Sequence, residues 1–273
     1  MIRLVVLDLD NTTLTNDKSL SEATLKQVRK LSDQGVLFTL ATGRAFELTR
    51  PYADALGITL PLIVNNGALI KTPEGRITMK STLERSAKRD LLRHARAYDL
   101  GYTYYTENGF YSNDTERLDV YERWNETHLD SRIVIHKRDN TDELIDIDAY
   151  KLLILDQNEE RFIKNYRKHE QRDDATVTRS QSYFLDVLPP NTSKATALAR
   201  LIEDLGLMPE QVLAFGDNDN DAEMLKYAGI GVAMPHGSDR AKAAADTIAL
   251  ADNDADGVAR TLKVFADAGQ FDK

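Results

Sequence analysis

The chain has 273 residues, and its 35 Lys and Arg against 44 Asp and Glu give a net charge of −9 at pH 7. That length suffices for two modest domains with a sizeable buried core. An acidic balance repels phosphate backbones and anionic lipid, so we expect no nucleic-acid partner and no membrane partner.

The chain contains no cysteine, which excludes disulfides, thiolate metal sites and cysteine nucleophiles and suits a reducing compartment. No stretch approaches the roughly 20 apolar residues that span a bilayer. Met1 is followed directly by a strand-like run, which leaves no room for a signal peptide. We therefore expect a cytoplasmic protein, either a monomer or a weak homo-oligomer.

Apolar runs of strand length alternate with segments of helical period in the first third of the chain. A helix is predicted between the first two runs, starting at the capping-box pair Ser19 and Glu22 and ending before Gly35. Buried strands are predicted over residues 2–7, 36–41 and 62–65. The alternation is typical of an α/β fold with a Rossmann-like parallel sheet.

The same alternation returns in the last third, and a different pattern lies between. A helix, a strand, a helix and a strand are predicted over residues 196–205, 212–215, 222–227 and 230–233. In the middle, two strand-like runs flank the turn signal Glu107-Asn108-Gly109, with helical stretches around them. We interpret residues 81–187 as an α+β domain inserted into a first domain made of residues 1–80 and 188–273.

Two carboxylates follow the first predicted strand. Alternation along an extended chain places Asp8 and Asp10 on the same side, at the carboxyl end of the strand where α/β ligand crevices form. Their mutual repulsion must be relieved by a raised pKa or by a cation, and a cysteine-free oxygen cluster suits Mg²⁺. A simple turn-starting role is the alternative.

Three further polar elements are predicted at the same edge of the sheet. Thr42-Gly43 follows the second strand, where a hydroxyl and helix-start amides suit a phosphate oxygen, although Thr42 could also cap a helix. Lys194 directly precedes a predicted apolar helix, where the helix dipole disfavours a cation that does not serve a ligand, and an exposed surface lysine is the alternative. The acidic run that starts at Asp217 fails as an EF-hand, because its sixth position is Ala222 rather than Gly.

The order of these elements resembles the haloacid dehalogenase superfamily of aspartate-nucleophile phosphatases. The matching residues are Asp8, Asp10 and Thr12 in the first motif, Thr42 in the second, Lys194 in the third, and Gly216-Asp217 with Asn220-Asp221 in the fourth. The chain is further similar to the Cof-type branch with an α/β cap, through residues 41–44, 66–68, 216–221, 231–234 and 256–259. The resemblance covers residues 1 to about 80 and about 188 to 273, whereas the middle resembles the cap only in position, size and pattern.

This resemblance implies a catalytic core, a substrate-selecting cap over residues 81–187, and a role for each site residue. Asp8 would attack phosphorus and form an aspartyl phosphate, and Asp10 would act as general acid and base with a pKa raised toward neutrality. Mg²⁺ would be held by Asp8, Asp217 and the backbone carbonyl of Asp10. Phosphate would be bound by Leu9, Thr42, Gly43, Lys194 and Asn220. Asp221 would orient Lys194 or a metal-bound water, and Arg44 would contact the substrate.

Two departures from the branch pattern stand out. Asn11 replaces a Gly in the first motif, and Pro235-His236-Gly237 stands where the family has an Asn-Ala pair. The predicted function is a Mg²⁺-dependent phosphatase of a small phosphorylated metabolite, with sugar phosphates expected first and flavin mononucleotide, pyridoxal phosphate and other small phosphomonoesters open. The alternatives are a phosphohexomutase and a sugar-phosphate binding protein without turnover; a nucleotide-binding oxidoreductase would need a glycine fingerprint that is missing.

Overall fold

The chain folds into two compact units in the computed structural model, which describes residues 1–138, 142–181 and 183–271. The core unit comprises Met1–Thr78 and Ser193–Lys273, and the cap unit comprises Met79–Thr192. The boundaries predicted for the inserted segment, residues 81 and 187, fall just inside the cap unit.

Strands and helices alternate through most of the core unit, whereas strands are more frequent in the cap unit. The strands are β1 (Leu4–Leu7), β2 (Leu37–Leu40), β3 (Leu62–Val64), β4 (Leu69–Lys71), β5 (Ile77–Lys80), β6 (Gly101–Thr106), β7 (Gly109–Ser112), β8 (Ile135–Lys137), β9 (Lys151–Leu155), β10 (Thr176–Gln181), β11 (Phe184–Leu188), β12 (Val212–Gly216), β13 (Ile230–Ala233) and β14 (Thr247–Ile248). The α-helices are α1 (Glu22–Ser32), α2 (Phe46–Leu56), α3 (Arg85–Ala97), α4 (Thr115–Thr127), α5 (Glu159–His169), α6 (Lys194–Asp204), α7 (Ala222–Tyr227), α8 (Asp239–Ala244) and α9 (Gly257–Asp267). Within the described ranges, every helix is too short or too polar to cross a bilayer.

The core sheet is parallel and has the strand order β14-β13-β12-β1-β2. Its central strands are buried along their whole length, which explains the unbroken apolar runs at β1 and β12. The chain moves to one side of β1 to form β2 and returns on the other side to form β12. This reversal lies between β1 and β12, where ligands bind in open α/β sheets. The predicted α/β fold with a parallel core sheet is confirmed.

The third predicted strand differs from the expectation. β3 touches β2 through one parallel bridge, Ala41 to Ile63, but it pairs antiparallel with β4 in a separate sheet of order β3-β4-β5. The chain reverses there because Asn65, Asn66 and Gly67 all have positive φ, at 51°, 55° and 94°. Asn and Gly tolerate this left-handed conformation better than other residues.

Two helix starts were predicted inaccurately. The cap of α1 is Ser21, whose side chain accepts a hydrogen bond from the backbone N–H of Thr24; Ser19 instead contacts Thr15 in the exposed loop before the helix. Helix α6 begins two residues earlier than predicted, because Ser193 forms the N-cap and exchanges hydrogen bonds with Thr196. Lys194 is therefore the first residue of α6.

The cap unit is built on a mixed sheet of order β10-β11-β9-β6-β7-β8, antiparallel except for the pair β7–β8. The predicted hairpin is present as β6 and β7. Apolar residues of α3 and α5 pack against this sheet, and this packing forms the cap's own hydrophobic cluster. An inserted α+β domain, as predicted, is therefore present.

Candidate active site

Three buried aspartates meet where β1 and β12 end. These strands are neighbours, and the pairing of Leu7 with Phe215 brings their carboxyl ends together. Carboxylate oxygens of Asp8, Asp217 and Asp221 all lie within 4.8 Å of one another. The parallel sheet thus brings together acids that are more than 200 positions apart in the chain.

A buried lysine joins this cluster. The Nζ atom of Lys194 lies 2.6 Å from Oδ1 of Asp8 and 2.6 Å from Oδ1 of Asp221, and the residue is only 1% exposed. The start of α6 packs tightly on Gly67, where an added Cβ would lie 2.2 Å from the carbonyl oxygen of Ser193. Lys194 is therefore not a surface lysine. One ammonium group against three carboxylates leaves two negative charges in excess when all are ionised.

Asp221 uses both of its oxygens on the protein. Oδ1 accepts from Lys194, and Oδ2 accepts from the backbone N–H groups of Asp217 and Asn218 at 3.1 and 3.0 Å. Gly216 permits this approach, because a Cβ there would lie 2.5 Å from Cβ of Asp221. These contacts suit a residue that fixes Lys194 and the turn after β12.

Asp8 and Asp217 each keep one oxygen available. Oδ1 of Asp8 accepts from Lys194 and Oδ1 of Asp217 accepts from Thr12 at 3.0 Å; from the described part of the chain, no donor reaches either Oδ2. Burial raises the pKa of Asp8 well above its usual value despite Lys194, and burial with the charge of Asp221 raises the pKa of Asp217 to about 6. Crowded oxygens with excess negative charge fit a hard divalent cation.

Asp10 is turned away from this cluster. Its carboxylate accepts two hydrogen bonds from Nε and Nη2 of Arg44, both at 2.7 Å, and Nζ of Lys18 lies 3.1 Å away. Burial alone would raise the pKa of Asp10, but Arg44 and then Lys18 outweigh it and lower the pKa to about 2. The prediction of a raised pKa for Asp10 is wrong in this arrangement, because the bidentate guanidinium stabilises the carboxylate.

The predicted phosphate-binding residues of the second and fourth motifs are linked by Asn66. Oδ1 of Asn66 accepts from Nδ2 of Asn220 at 2.9 Å, and the same side chain packs on Gly43, where a Cβ would lie 2.9 Å from that oxygen. Thr42 is buried, and its hydroxyl accepts from the N–H of Arg44 at 3.2 Å. Thr42 does not cap α2, whose N-cap is Ala45.

Leu9 begins the turn that leaves β1. It is buried, and its carbonyl accepts from the N–H of Leu14 at 2.9 Å, which closes a turn over residues 9–13. The hydroxyl of Thr13 also donates to the carbonyl of Asp8 at 2.6 Å. The nucleophile candidate therefore stands at the base of a tightly bonded turn.

Three residues at the site had no predicted role. No sequence pattern marked Lys18, because it reaches Asp10 from a loop in which its own φ is 64°. Asn66 lies in the matched motif at residues 66–68, for which no role was predicted. His236 stood only as a departure from the family pattern, and its ring contacts the backbone of Asn11.

The geometry agrees with comparisons to known proteins. A family model of haloacid dehalogenase-like hydrolases matches residues 5–262. The chain belongs to this family. The chain is similar to the 5-amino-6-(5-phospho-D-ribitylamino)uracil phosphatase YitU of Bacillus subtilis, at 30% identity over 272 residues that cover 96% of this chain and 97% of YitU.

Two further proteins extend the likeness. The putative phosphatase YkrA of Bacillus subtilis is 32% identical over 265 residues, which cover 96% of both chains. The solved structure of a haloacid dehalogenase-like hydrolase from Bacillus subtilis superimposes with a TM-score of 0.84 at 28% identity, covering 96% of this chain and 99% of that one. The chain is therefore an enzyme, a phosphatase of the phosphomonoester hydrolase class, with a buried aspartate cluster suited to a metal ion.

Proposed function

We propose that this phosphatase hydrolyses small phosphomonoesters with Mg²⁺, through an aspartyl phosphate on Asp8. The observation that carries the proposal is the position of Asp8: a buried carboxylate at the tip of a central strand, with one oxygen bound to Lys194 and the other without a donor among the described residues. A fixed carboxylate with a free oxygen is what an in-line attack on phosphorus requires.

The first step transfers the phosphoryl group to the protein. The free oxygen of Asp8 forms a bond to phosphorus while the bond from phosphorus to the leaving alcohol oxygen breaks, and Asp10 gives that oxygen a proton. This needs Asp10 protonated, which its pairing with Arg44 opposes. Release of Asp10 from Arg44 is therefore part of the cycle that we propose.

The second step returns Asp8 to its starting form. Asp10, now a carboxylate, takes a proton from water as the water oxygen attacks phosphorus and the bond to Asp8 breaks. The free oxygens of Asp8 and Asp217 would hold the Mg²⁺, with the backbone carbonyl of Asp10 as the family resemblance implies. When bound, the cation would reduce the repulsion between the Asp8 carboxylate and the phosphoryl oxygens.

Neutral and cationic groups of the core unit would stabilise the remaining phosphoryl charge. We assign this role to Lys194, the hydroxyl of Thr42, the amide of Gly43, the side chain of Asn220 and the backbone of Leu9. Asp221 orients the Lys194 ammonium group through a 2.6 Å contact.

For the substrate, we propose a phosphorylated sugar or sugar alcohol. Two relatives in Bacillus subtilis, YitU and YcsE, are phosphatases of a phosphoribitylamino uracil, at 30% and 26% identity. A leaving group rich in hydroxyls is common to that compound and to sugar phosphates. The cap unit, which contains none of the matched motif residues, is proposed to select the leaving group.

A panel of phosphorylated metabolites assayed for phosphate release with Mg²⁺ tests this proposal. We expect turnover of sugar or polyol phosphates and, in rapidly quenched samples, one phosphoryl group on the peptide that contains Asp8. The Asp8→Asn variant is the matched control and should carry none. Phosphate that moves within a sugar with little release would instead favour a mutase, and tight binding without turnover a sensor.

A further inference from the structure

The loop after β13 is hydrogen-bonded to the backbone at the end of β12. The N–H of Met234 donates to the carbonyl of Gly216 at 3.0 Å, and the N–H of Ser238 donates to the carbonyl of Asp217 at 2.7 Å. His236 lies between these two contacts in the sequence, within the segment that departs from the family pattern. The loop that carries His236 is therefore fixed to the backbone beside Asp217.

The His236 ring bridges two other segments. Nε2 lies 2.9 Å from the carbonyl oxygen of Asn11, and Nδ1 lies 3.0 Å from Oδ1 of Asp252. A carbonyl oxygen only accepts, so Nε2 must carry a hydrogen for this contact. The carboxylate of Asp252 also accepts, so the ring satisfies both partners when both nitrogens carry hydrogens.

Asn11 is a sensitive point in the chain. Its φ is 57°, a left-handed conformation that Asn adopts more readily than most residues but less readily than Gly. It lies between Asp10, the proposed acid and base, and Thr12, whose hydroxyl donates to Asp217. The Asn11 carbonyl belongs to the peptide that joins Asn11 to Thr12, so a rotation of this peptide would disturb the turn over residues 9–13, which carries both Asp10 and Thr12.

The two departures from the family pattern meet at this contact. A Gly would take the left-handed conformation without strain, and Asn takes it at a small cost. His236 supplies a donor to the carbonyl of that same residue. The segments around it are also joined elsewhere, since Asp254 accepts from the N–H of Asn16 at 2.7 Å, but this second contact lies five residues beyond Asn11.

We propose that His236 is a positioning residue for phosphoryl transfer: its ring fixes the Asn11 peptide and thereby the direction of the Asp10 carboxylate. The inference rests on the proposed function of the same site. His236 does not touch the reacting atoms, and it acts through the backbone.

The test compares three variants with para-nitrophenyl phosphate and Mg²⁺. His236→Leu removes the donor, His236→Gln keeps an amide donor of similar reach, and Asp254→Ala removes the neighbouring contact without touching Asn11. We expect His236→Leu to lower kcat about tenfold with KM within about twofold. His236→Gln should stay within about threefold of wild type, and Asp254→Ala should match wild type in kcat.

A second readout is independent of turnover. Amide hydrogen exchange of the peptide over residues 9–14 should be faster in His236→Leu than in wild type and Asp254→Ala. Wild-type kcat in His236→Leu, an equal loss in His236→Gln, or an equal loss in Asp254→Ala would overturn the proposal. An inactive wild type would refute the proposed function instead. In that case, unchanged hydrogen exchange in His236→Leu would still refute the positioning role of His236.

Discussion

Removing the ammonium of Lys194 should lower both the unfolding free energy of the core unit and the rate of catalysis. Lys194→Met keeps most of the side-chain volume but leaves three buried carboxylates without a cation from the protein. Because Lys194 is 1% exposed and contacts both Asp8 and Asp221 at 2.6 Å, solvent cannot replace it. Loss of one partner from such a buried network costs about 3–5 kcal/mol.

The expected loss is large enough to measure by thermal unfolding. For a unit of this size, about 3 kcal/mol corresponds to a fall in Tm of roughly 10 °C. We expect this fall near pH 8 with chelator present, and a partial recovery with Mg²⁺, because a bound cation supplies the missing positive charge. Lys30→Met, on the exposed face of α1, is the matched control and should leave Tm unchanged.

The catalytic effect should be uniform across substrates. Because we assign Lys194 to the phosphoryl group, which all substrates share, kcat should fall by about 10²–10³ for each of them. A Tm within about 2 °C of wild type in chelator would refute the assignment of Lys194 to charge balance. A strong change in the rank order of substrates would refute its assignment to the phosphoryl group.

Three further outcomes are expected. Asp8→Asn should abolish turnover with an unchanged circular dichroism spectrum, and retention of even a tenth of the activity would contradict the covalent mechanism. Chelation should remove activity and Mg²⁺ restore it, and Asp217→Asn should raise the Mg²⁺ concentration needed; full activity of protein shown to be metal-free would contradict Asp217 as a ligand. In the cap unit, burial and then the nearby charge of His94 lower the pKa of His169 from 6.5 to about 4. The unfolded state therefore binds more protons between these values, and cap stability should fall by about 2 kcal/mol from pH 7 to pH 5. Urea midpoints at pH 7 and pH 5 should show this loss in wild type but less of it in His169→Phe, and an equal loss in both would refute the role of this ring.

The sequence predicted the parts of the site that depend on strand ends. β1 and β12 are continuous apolar runs, and parallel pairing necessarily brings the residues after them to one edge. Asp8 and Asp217 were therefore predictable as neighbours, and the family motifs added Lys194. The left-handed turn at Asn65 was not foreseen, so β3 was assigned to the wrong kind of sheet.

The sequence could not predict which partners the loop side chains contact. Asp10 could face the aspartate cluster or Arg44, and only the conformation of the turn over residues 9–13 decides between them. His236 reaches Asn11 across 225 positions of sequence. No local period or spacing encodes such a contact, because it results from the packing of two loops on the finished sheet.

The two excess negative charges around Asp8, Asp217 and Asp221 link folding to ion occupancy. An ion that binds only the folded core raises its unfolding free energy by RT ln(1 + [L]/Kd), or about 1.4 kcal/mol for each tenfold increase in concentration above Kd. Melting temperature then becomes a titration signal that needs no substrate. Ranking divalent ions by this shift would reveal the selectivity of the site before any metabolite has been identified.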